Sequence, residues 1–222
     1  MSAGEHPARS SYHHGDLREA LLQAAEALLE EAGVQGLTLR ACARRAGVSH
    51  AAPKHHFADA SVLLSEVAAR SFDRLTTALR EDREAKASAE AVIIGVFRTY
   101  VAFARGYPSH FRLMFRWDAM SSDSEVLRVA ATRTFAEMTT SITRQRGDSD
   151  VTAETLTERI RERGLQNDVI LAWSQIHGYA QLLLEGQFAS FAESGDSTLD
   201  AFVERTVVEN GRRLFRVLEE SG

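Results

Sequence analysis

Residues 38–57 read TLRACARRAGVSHAAPKHHF, and this stretch decides the fold. Thr38 is a residue type that caps helix N-termini, and apolar residues follow it at helical spacing. They are Leu39, Cys42, Ala43 and Ala46. Gly47 permits a tight turn, and Ser49 can then cap a further helix that runs through His56. Two short helices joined by such a turn predict a helix-turn-helix.

Amphipathic helices are predicted on both sides of this stretch. Apolar residues recur at three- and four-residue spacing over residues 17–32, and Gly33 can end that helix. Asp59 can cap the helix that follows. Residues 1–13 show no periodicity and are expected to form a flexible tail. The sequence therefore predicts a three-helix DNA-binding domain over residues 14–60.

The remaining residues, 61–222, also favour helix. Prolines number only three, and long stretches are rich in Ala, Leu, Glu and Arg. Residues 91–104 are apolar on almost every side, which is typical of a buried central helix. Later helices are predicted at about 123–146, 165–188 and 199–218. The predicted fold class is all-α, with an N-terminal helix-turn-helix domain and a C-terminal helical domain.

Composition excludes several classes of protein and site. The formal net charge is -5, so any contact with nucleic acid must come from a local basic surface. One cysteine, Cys42, excludes an intrachain disulfide and a cysteine-rich zinc site. No His-x-x-x-His or Glu-x-x-His pair is present, so neither a metal nor a cofactor is expected. Without a signal-like or membrane-spanning apolar run, we expect a cytoplasmic protein with no membrane partner.

Each feature of the helix-turn-helix also has a simpler interpretation. Arg40, Arg44 and Arg45 can be a solvated helix face, and the clustered histidines can be surface residues or an accidental metal trap. Histidine titrates near neutral pH, so the cluster can also add positive charge. Cys42 lies on the apolar face, which favours a core residue over a redox sensor.

Several motifs together resemble the TetR family of bacterial regulators. They are Tyr12 to Arg18, Leu37 to Arg40, Ala46 to Ser49, Pro53 to Phe57, and Leu63-Leu64, which span about residues 12–70 in the family's order. The resemblance implies a homodimer whose recognition helices enter successive major grooves of a near-palindromic operator. It also implies repression that a ligand relieves.

The resemblance assigns DNA contacts to eight residues. Thr38 and Arg40 would contact phosphates; Ser49 would start the recognition helix; His50, Ala51 and Lys54 would face bases; and His55 and His56 would hold the backbone. The chain departs from the family where Lys54 replaces a common aromatic residue and Ala60 replaces a phosphate-binding lysine. We therefore hypothesise that Lys54 and the histidines supply substitute contacts and make operator affinity depend on pH.

The C-terminal half offers candidates for an effector pocket. The apolar candidates are Ile93, Phe97, Tyr100, Met114, Phe115, Trp117, Phe135, Met138 and Trp173, with Thr99, Tyr100 and His177 as polar groups. An apolar pocket with a few polar groups suits a small hydrophobic effector. The same residues can equally fill an ordinary core. Trp173, His177-Gly178 and Gly186 also resemble a pattern in one subgroup of the family, and Gly178 would allow a neighbouring helix to approach closely.

Dimerisation is expected through the last two long helices, as the resemblance implies. Their apolar candidates are Leu182, Leu183, Phe202, Val203, Val207, Leu214 and Val217, which intrachain packing can also use. The helix after Asp59 is the expected lever between the two domains.

Rival functions remain open at this stage. An activator or a corepressor-dependent regulator fits the same resemblance. An all-helical enzyme would need a nucleophile with a base, or inward metal ligands, and the sequence has no such pattern. A nonspecific DNA-binding or scaffolding protein is the other rival.

Overall fold

The computed structural model describes residues 14–84, 88–145, 155–162, 164–192 and 198–220. The α-helices of these ranges are α1 (His14–Gly36), α2 (Leu39–Arg45), α3 (Ala60–Glu84), α4 (Ala89–Gly106), α5 (Pro108–Met114), α6 (Glu125–Gln145), α7 (Leu156–Glu162), α8 (Gln166–Leu184), α9 (Ala189–Ala192) and α10 (Leu199–Glu220). Two short 3-10 helices are Ala52–His55 and Trp117–Ala119. The expected all-α class is confirmed, and the predicted tail over 1–13 lies outside the described residues.

The N-terminal helices follow the predicted capping signals. Gly33 interrupts α1 with a positive φ of 67°, as its role as a terminator predicts. Thr38 caps α2, because the amide N–H of Ala41 donates to Thr38 Oγ1 over 3.1 Å. Gly47 has a φ of 70° and turns the chain after α2. These positions fix where α2 begins and ends.

The element after the turn differs from the prediction. A recognition helix capped by Ser49 was expected through His56, but the helix is a single 3-10 turn, Ala52–His55, with no side-chain cap. Pro53 explains the difference, because it has no amide N–H to donate and it disfavours helical geometry at Ala52. Pro53 is buried and accepts hydrogen bonds from the N–H groups of His56 and Phe57.

Helix α3 joins the N-terminal unit to the rest of the chain. Asp59 caps it as predicted: its Oδ1 accepts from the N–H groups of Ser61 and Val62 at 2.8 and 3.2 Å. Over 25 residues α3 packs against α1, α4, α5 and α6. It is therefore a single helix shared by both halves of the chain.

Helix α4 forms the centre of the C-terminal core, as its apolar character predicted. Ser88 caps it, and Ile93, Phe97 and Tyr100 are almost fully buried. Helices α3, α5, α6, α8 and α10 all pack against it. Helix α10 approaches α4 closely at Gly211, where a Cβ atom would lie 2.9 Å from the Cα of Ile94.

The final helices correct two expectations from the sequence. The helix predicted to reach residue 188 ends at Leu184, because the chain turns at Gly186 with a φ of 75°. Four predicted dimer residues, Leu183, Val203, Val207 and Leu214, are buried within the single chain. Leu182 and Val217 are exposed, so only part of the predicted apolar set lies at the surface of the single chain.

Candidate functional site

The helix-turn-helix presents its predicted DNA contacts to solvent. Thr38, Arg40, Ser49, His50, Ala51, Lys54 and His55 are exposed, and His56 is half-buried. Pro53 and Phe57 are buried on the other side of the 3-10 helix. The short element therefore packs through its apolar residues and leaves Lys54 and His55 outward.

The arginines of α2 divide into two kinds. Arg45 donates to both carboxylate oxygens of Glu31 at 2.5 and 2.7 Å, so it braces α2 against α1. Arg40 and Arg44 are exposed, and no carboxylate of the described residues lies within salt-bridge distance of either. These two cations are free to meet phosphates.

Arg18 ties three parts of the N-terminal unit together. Its guanidinium pairs with Glu66 of α3 and lies 5.6 Å from the centre of the Phe57 ring. Because Phe57 lies two residues after the 3-10 helix, Arg18 of α1 helps to position the predicted reading element against α3.

A buried histidine lies where α5 meets α1 and α3. His110 is 1% exposed, its Nδ1 is 2.8 Å from Ser71 Oγ, and its Nε2 is 3.4 Å from a Glu30 carboxylate oxygen. Nε2 makes no hydrogen bond. Burial, and then the positive charge of Arg74, lower the pKa of His110, while Glu26 and Glu30 oppose the shift.

A cavity of about 320 Å³ lies between α3 and α6. Residues of α4, α5, α7, α8 and the 3-10 helix Trp117–Ala119 complete its wall. Seven residues predicted for the pocket line it: Tyr100, Met114, Phe115, Trp117, Phe135, Met138 and Trp173. Trp117 and Trp173 remain 54% and 42% exposed, so their indole rings lie at the opening rather than in the core. Cavities of this size hold small organic ligands.

Three predicted pocket residues, Ile93, Phe97 and His177, do not line this cavity. Phe97 and Ile93 line a neighbouring void of only about 20 Å³, where they pack in the core around α4. His177 lies behind the cavity wall: its ring centre is 4.3 Å from that of Phe115, and its Nδ1 is 2.9 Å from Tyr100 Oη.

The Tyr100–His177 pair is neutral. Burial raises the pKa of Tyr100 far above its ordinary value, and burial lowers the pKa of His177. The phenol therefore keeps its proton, the imidazole is unprotonated, and one hydrogen bond joins Tyr100 Oη to His177 Nδ1. Sequence reasoning treated both as polar groups for a ligand, but each already has the other as its partner.

Six further lining residues of the cavity were not predicted from the sequence. They are Phe72, Leu75, Ala131, Thr132, Thr134 and Thr157. Phe72 and Leu75 lie on the apolar face of α3, and that face gives no sign of whether its partner is protein or a cavity. The threonines carry no sequence signal at all.

The described ranges contain neither a cluster of metal ligands nor a membrane-spanning helix. No group of three or more His, Cys, Asp or Glu side chains there is arranged to hold a metal ion. Within the same ranges, no helix combines the length and apolarity needed to cross a membrane.

Two family models match the chain. A model described as bacterial regulatory proteins of the tetR family matches residues 21–67. A model of the tetracyclin repressor-like C-terminal domain matches residues 93–209, more than half of the chain. The chain belongs to the TetR family. As a TetR-family transcriptional regulator it is a DNA-binding protein of a family that is not enzymatic, and ligand binding and dimerisation are typical of that family.

Solved structures share the fold over nearly the whole chain. A protein of unknown function from Rhodococcus sp. RHA1 is 29% identical, with a TM-score of 0.70 and coverage of 94% of this chain and 98% of that one. SCO4313, described as a regulatory protein, is 18% identical, with a TM-score of 0.62 and coverage of 89% and 96%. A protein described as a transcriptional regulator from Pseudomonas aeruginosa PAO1 is 17% identical, with a TM-score of 0.53 and coverage of 95% and 94%. No curated protein was found to match the sequence.

Proposed function

We propose that this TetR-family regulator is a ligand-responsive repressor. It binds a near-palindromic operator as a homodimer and leaves it when a small hydrophobic effector occupies the cavity. Residues 14–60 form the DNA-binding unit, and residues 61–222 form the unit for effector binding and dimerisation.

The continuity of α3 carries this proposal. The helix begins at Ala60, beside the reading element, and contributes Phe72 and Leu75 to the cavity wall. At about 1.5 Å per residue, Ala60 and Leu75 are about 22 Å apart along one helix. An effector that fits the cavity better in one tilt of α3 shifts the protein towards that tilt, and the recognition elements move with it.

The exposed face of the helix-turn-helix supplies the DNA contacts in this proposal. Thr38 and Arg40 meet phosphates at the start of α2, and Ser49 lies at the edge of the turn. His50, Ala51 and Lys54 face the bases, with Lys54 able to donate to guanine O6 or N7. His55 and His56 hold the backbone.

Selection of bound sequences from random DNA tests the operator claim. We expect a consensus with two related half-sites about one helical turn apart, because each protomer supplies one reading element. An asymmetric consensus, or none, would contradict the proposal.

Two substitutions then distinguish base contacts from phosphate contacts. Lys54→Ala is expected to relax the preference at one base position of each half-site. Arg40→Ala lowers affinity for all sequences and reduces the salt slope by about two, because each protomer loses one phosphate contact. Arg128→Ala is the control, because Arg128 pairs with Glu125 on α6 and should leave both quantities unchanged. A promoter fusion distinguishes repression from activation, since deleting a repressor raises expression.

The dimer surface proposed here is one face of α8. Ile170, Ser174, Gly178 and Leu182 recur every four residues, and Ile170 and Leu182 are exposed. A Cβ atom at Gly178 would meet nothing within 4 Å, so no helix of the described ranges makes the close approach expected there. A second copy can therefore pack on this face, next to the exposed side of α10.

A further inference from the structure

The described residues that line the 320 Å³ cavity offer a ligand no charge. Its described lining residues include no Asp, Glu, Lys, Arg or His, and its one ionisable group is the Tyr100 phenol. That phenol stays neutral because burial raises its pKa. A ligand with a buried charge would lose its hydration without gaining a counter-charge, which is strongly unfavourable.

Three of the four hydroxyl groups among the described lining residues, all but that of Thr157, are already hydrogen-bonded within the chain. Thr134 Oγ1 donates to a backbone carbonyl of Phe72 or Ala130, at 3.0 or 3.1 Å, and lies 2.7 Å from Thr76 Oγ1. Thr132 Oγ1 donates to the carbonyl of Arg128 over 2.8 Å. Tyr100 Oη is bonded to His177. Few hydrogen bonds are left for a polar ligand deep in the cavity.

Aromatic rings form two sides of the cavity. On one side, Phe72 packs against Phe115 and Trp117 with ring centres 6.1 and 6.4 Å apart. On the other, Phe135 meets Trp173 edge-on at 5.8 Å. Both indoles are about half exposed, so a ring placed between the two sides would gain aromatic contacts and remove them from water.

We propose that the effector is an uncharged aromatic molecule that lies between the Phe72–Phe115–Trp117 side and the Phe135–Trp173 side of the cavity. This proposal deepens the proposed function and rests on it. It names the charge state and the ring character of the molecule, both of which follow from the side chains of this chain.

The chain contains its own reporter for such a ligand. It has two tryptophans, Trp117 and Trp173, and both line this cavity. Any change in intrinsic tryptophan fluorescence on ligand addition therefore arises at or near the cavity, and Trp117→Phe and Trp173→Phe assign it to one side.

Four probes of matched shape test the proposal by calorimetry on the full-length protein. They are 2-naphthamide, 2-naphthoate, 2-naphthylmethylammonium and the saturated decahydronaphthalene-2-carboxamide. We expect 2-naphthamide to bind tightest and to change the tryptophan fluorescence. Both ions should bind at least about tenfold more weakly because their charge is uncompensated. The saturated amide should bind about twofold to tenfold more weakly because it lacks aromatic contacts.

Substitutions place the binding in this cavity. Thr132→Lys puts a cation in the wall and should reverse the preference in favour of 2-naphthoate. Trp173→Leu keeps an apolar side chain and should bring the aromatic and saturated amides closer in affinity. Phe191→Leu is the control, because Phe191 is 65% exposed and does not line the cavity.

Equal affinity for the amide and the two ions, tighter binding of either ion, or no binding of 2-naphthamide would overturn the proposal. An unchanged preference in Thr132→Lys, with an unchanged circular dichroism spectrum, would do the same. Operator binding without probe is measured separately by fluorescence anisotropy. Its failure counts against the repressor function, whereas intact operator binding with no preference among the probes counts only against the effector class.

Discussion

At the scale of single residues, Thr38 combines two tasks. It caps α2 by accepting the Ala41 N–H, and it is a proposed phosphate contact. Thr38→Ala removes the cap and should lower the free energy of unfolding by about 1 kcal/mol. Thr38→Ser keeps the hydroxyl and should restore most of this loss. Urea denaturation of the three proteins measures it, and equal stability of the Ala and Ser variants would contradict the assignment.

His110 should make stability depend on pH. Its pKa is lowered in the folded chain, chiefly by burial and then by Arg74. The unfolded chain therefore takes up the proton first as pH falls. The stabilisation is complete above about pH 6.5, the ordinary histidine pKa, and is lost as pH drops further towards the folded pKa.

His110→Asn should therefore flatten the fall in melting temperature between about pH 7.5 and pH 5.5. Part of the fall will remain, because burial also lowers the pKa of His177. Ser71→Ala is the matched control: it removes the hydroxyl beside Nδ1 but leaves the imidazole, so it should shift the whole curve without changing its slope. A variant slope as steep as the wild-type slope would refute this role for His110.

At the scale of helices, α10 approaches α4 closely at Gly211. An added Cβ atom would lie 2.9 Å from the Ile94 Cα, and backbone cannot rotate away. Overpacking costs about 1–3 kcal/mol, and alanine returns about 1 kcal/mol through helix propensity. Gly211→Ala should therefore lose about 1 kcal/mol net.

Gly106→Ala is the control for this prediction. A Cβ atom there would meet nothing within 4 Å, and Gly106 is the last residue of α4. Thermal unfolding of both variants at one protein concentration gives the comparison. If the two were equally stable, the close approach at Gly211 would not be a constraint.

Caps and periodicity predicted most helices correctly, because both act over a few neighbouring residues. Thr38 and Asp59 cap where their residue types suggested, and the apolar run over residues 91–104 lies in the central helix. The helix predicted after Gly47 is too long, because Pro53 limits the element there to one 3-10 turn.

The cavity was only partly predictable for a different reason. An apolar residue gives the same sequence signal whether it faces another side chain or an empty space. Thus Phe97 and Trp117 were both candidates, yet Phe97 packs in the core and Trp117 lies at the cavity opening. Likewise, nothing in the sequence indicated that Tyr100 and His177 satisfy each other.

At the scale of the whole molecule, two copies are proposed to meet through the exposed face of α8. Leu182→Glu should shift the protein towards monomer, because it places a charge in an apolar contact. Phe191→Glu is the control, as Phe191 is exposed but lies outside that face. Light scattering at micromolar concentration measures the mass. A monomeric wild type, or an unchanged dimer in Leu182→Glu, would contradict the assignment.

The burial of Cys42 has a practical consequence. As the one cysteine of the chain it is fully buried in α2, and burial raises the pKa of its thiol to about 11. A thiol reagent can reach it only when the DNA-binding unit opens, so the rate of labelling measures the free energy of that local opening. Operator DNA should slow the labelling in proportion to its occupancy. The labelling rate of Cys42 therefore reports how much bound DNA stabilises this domain against local opening.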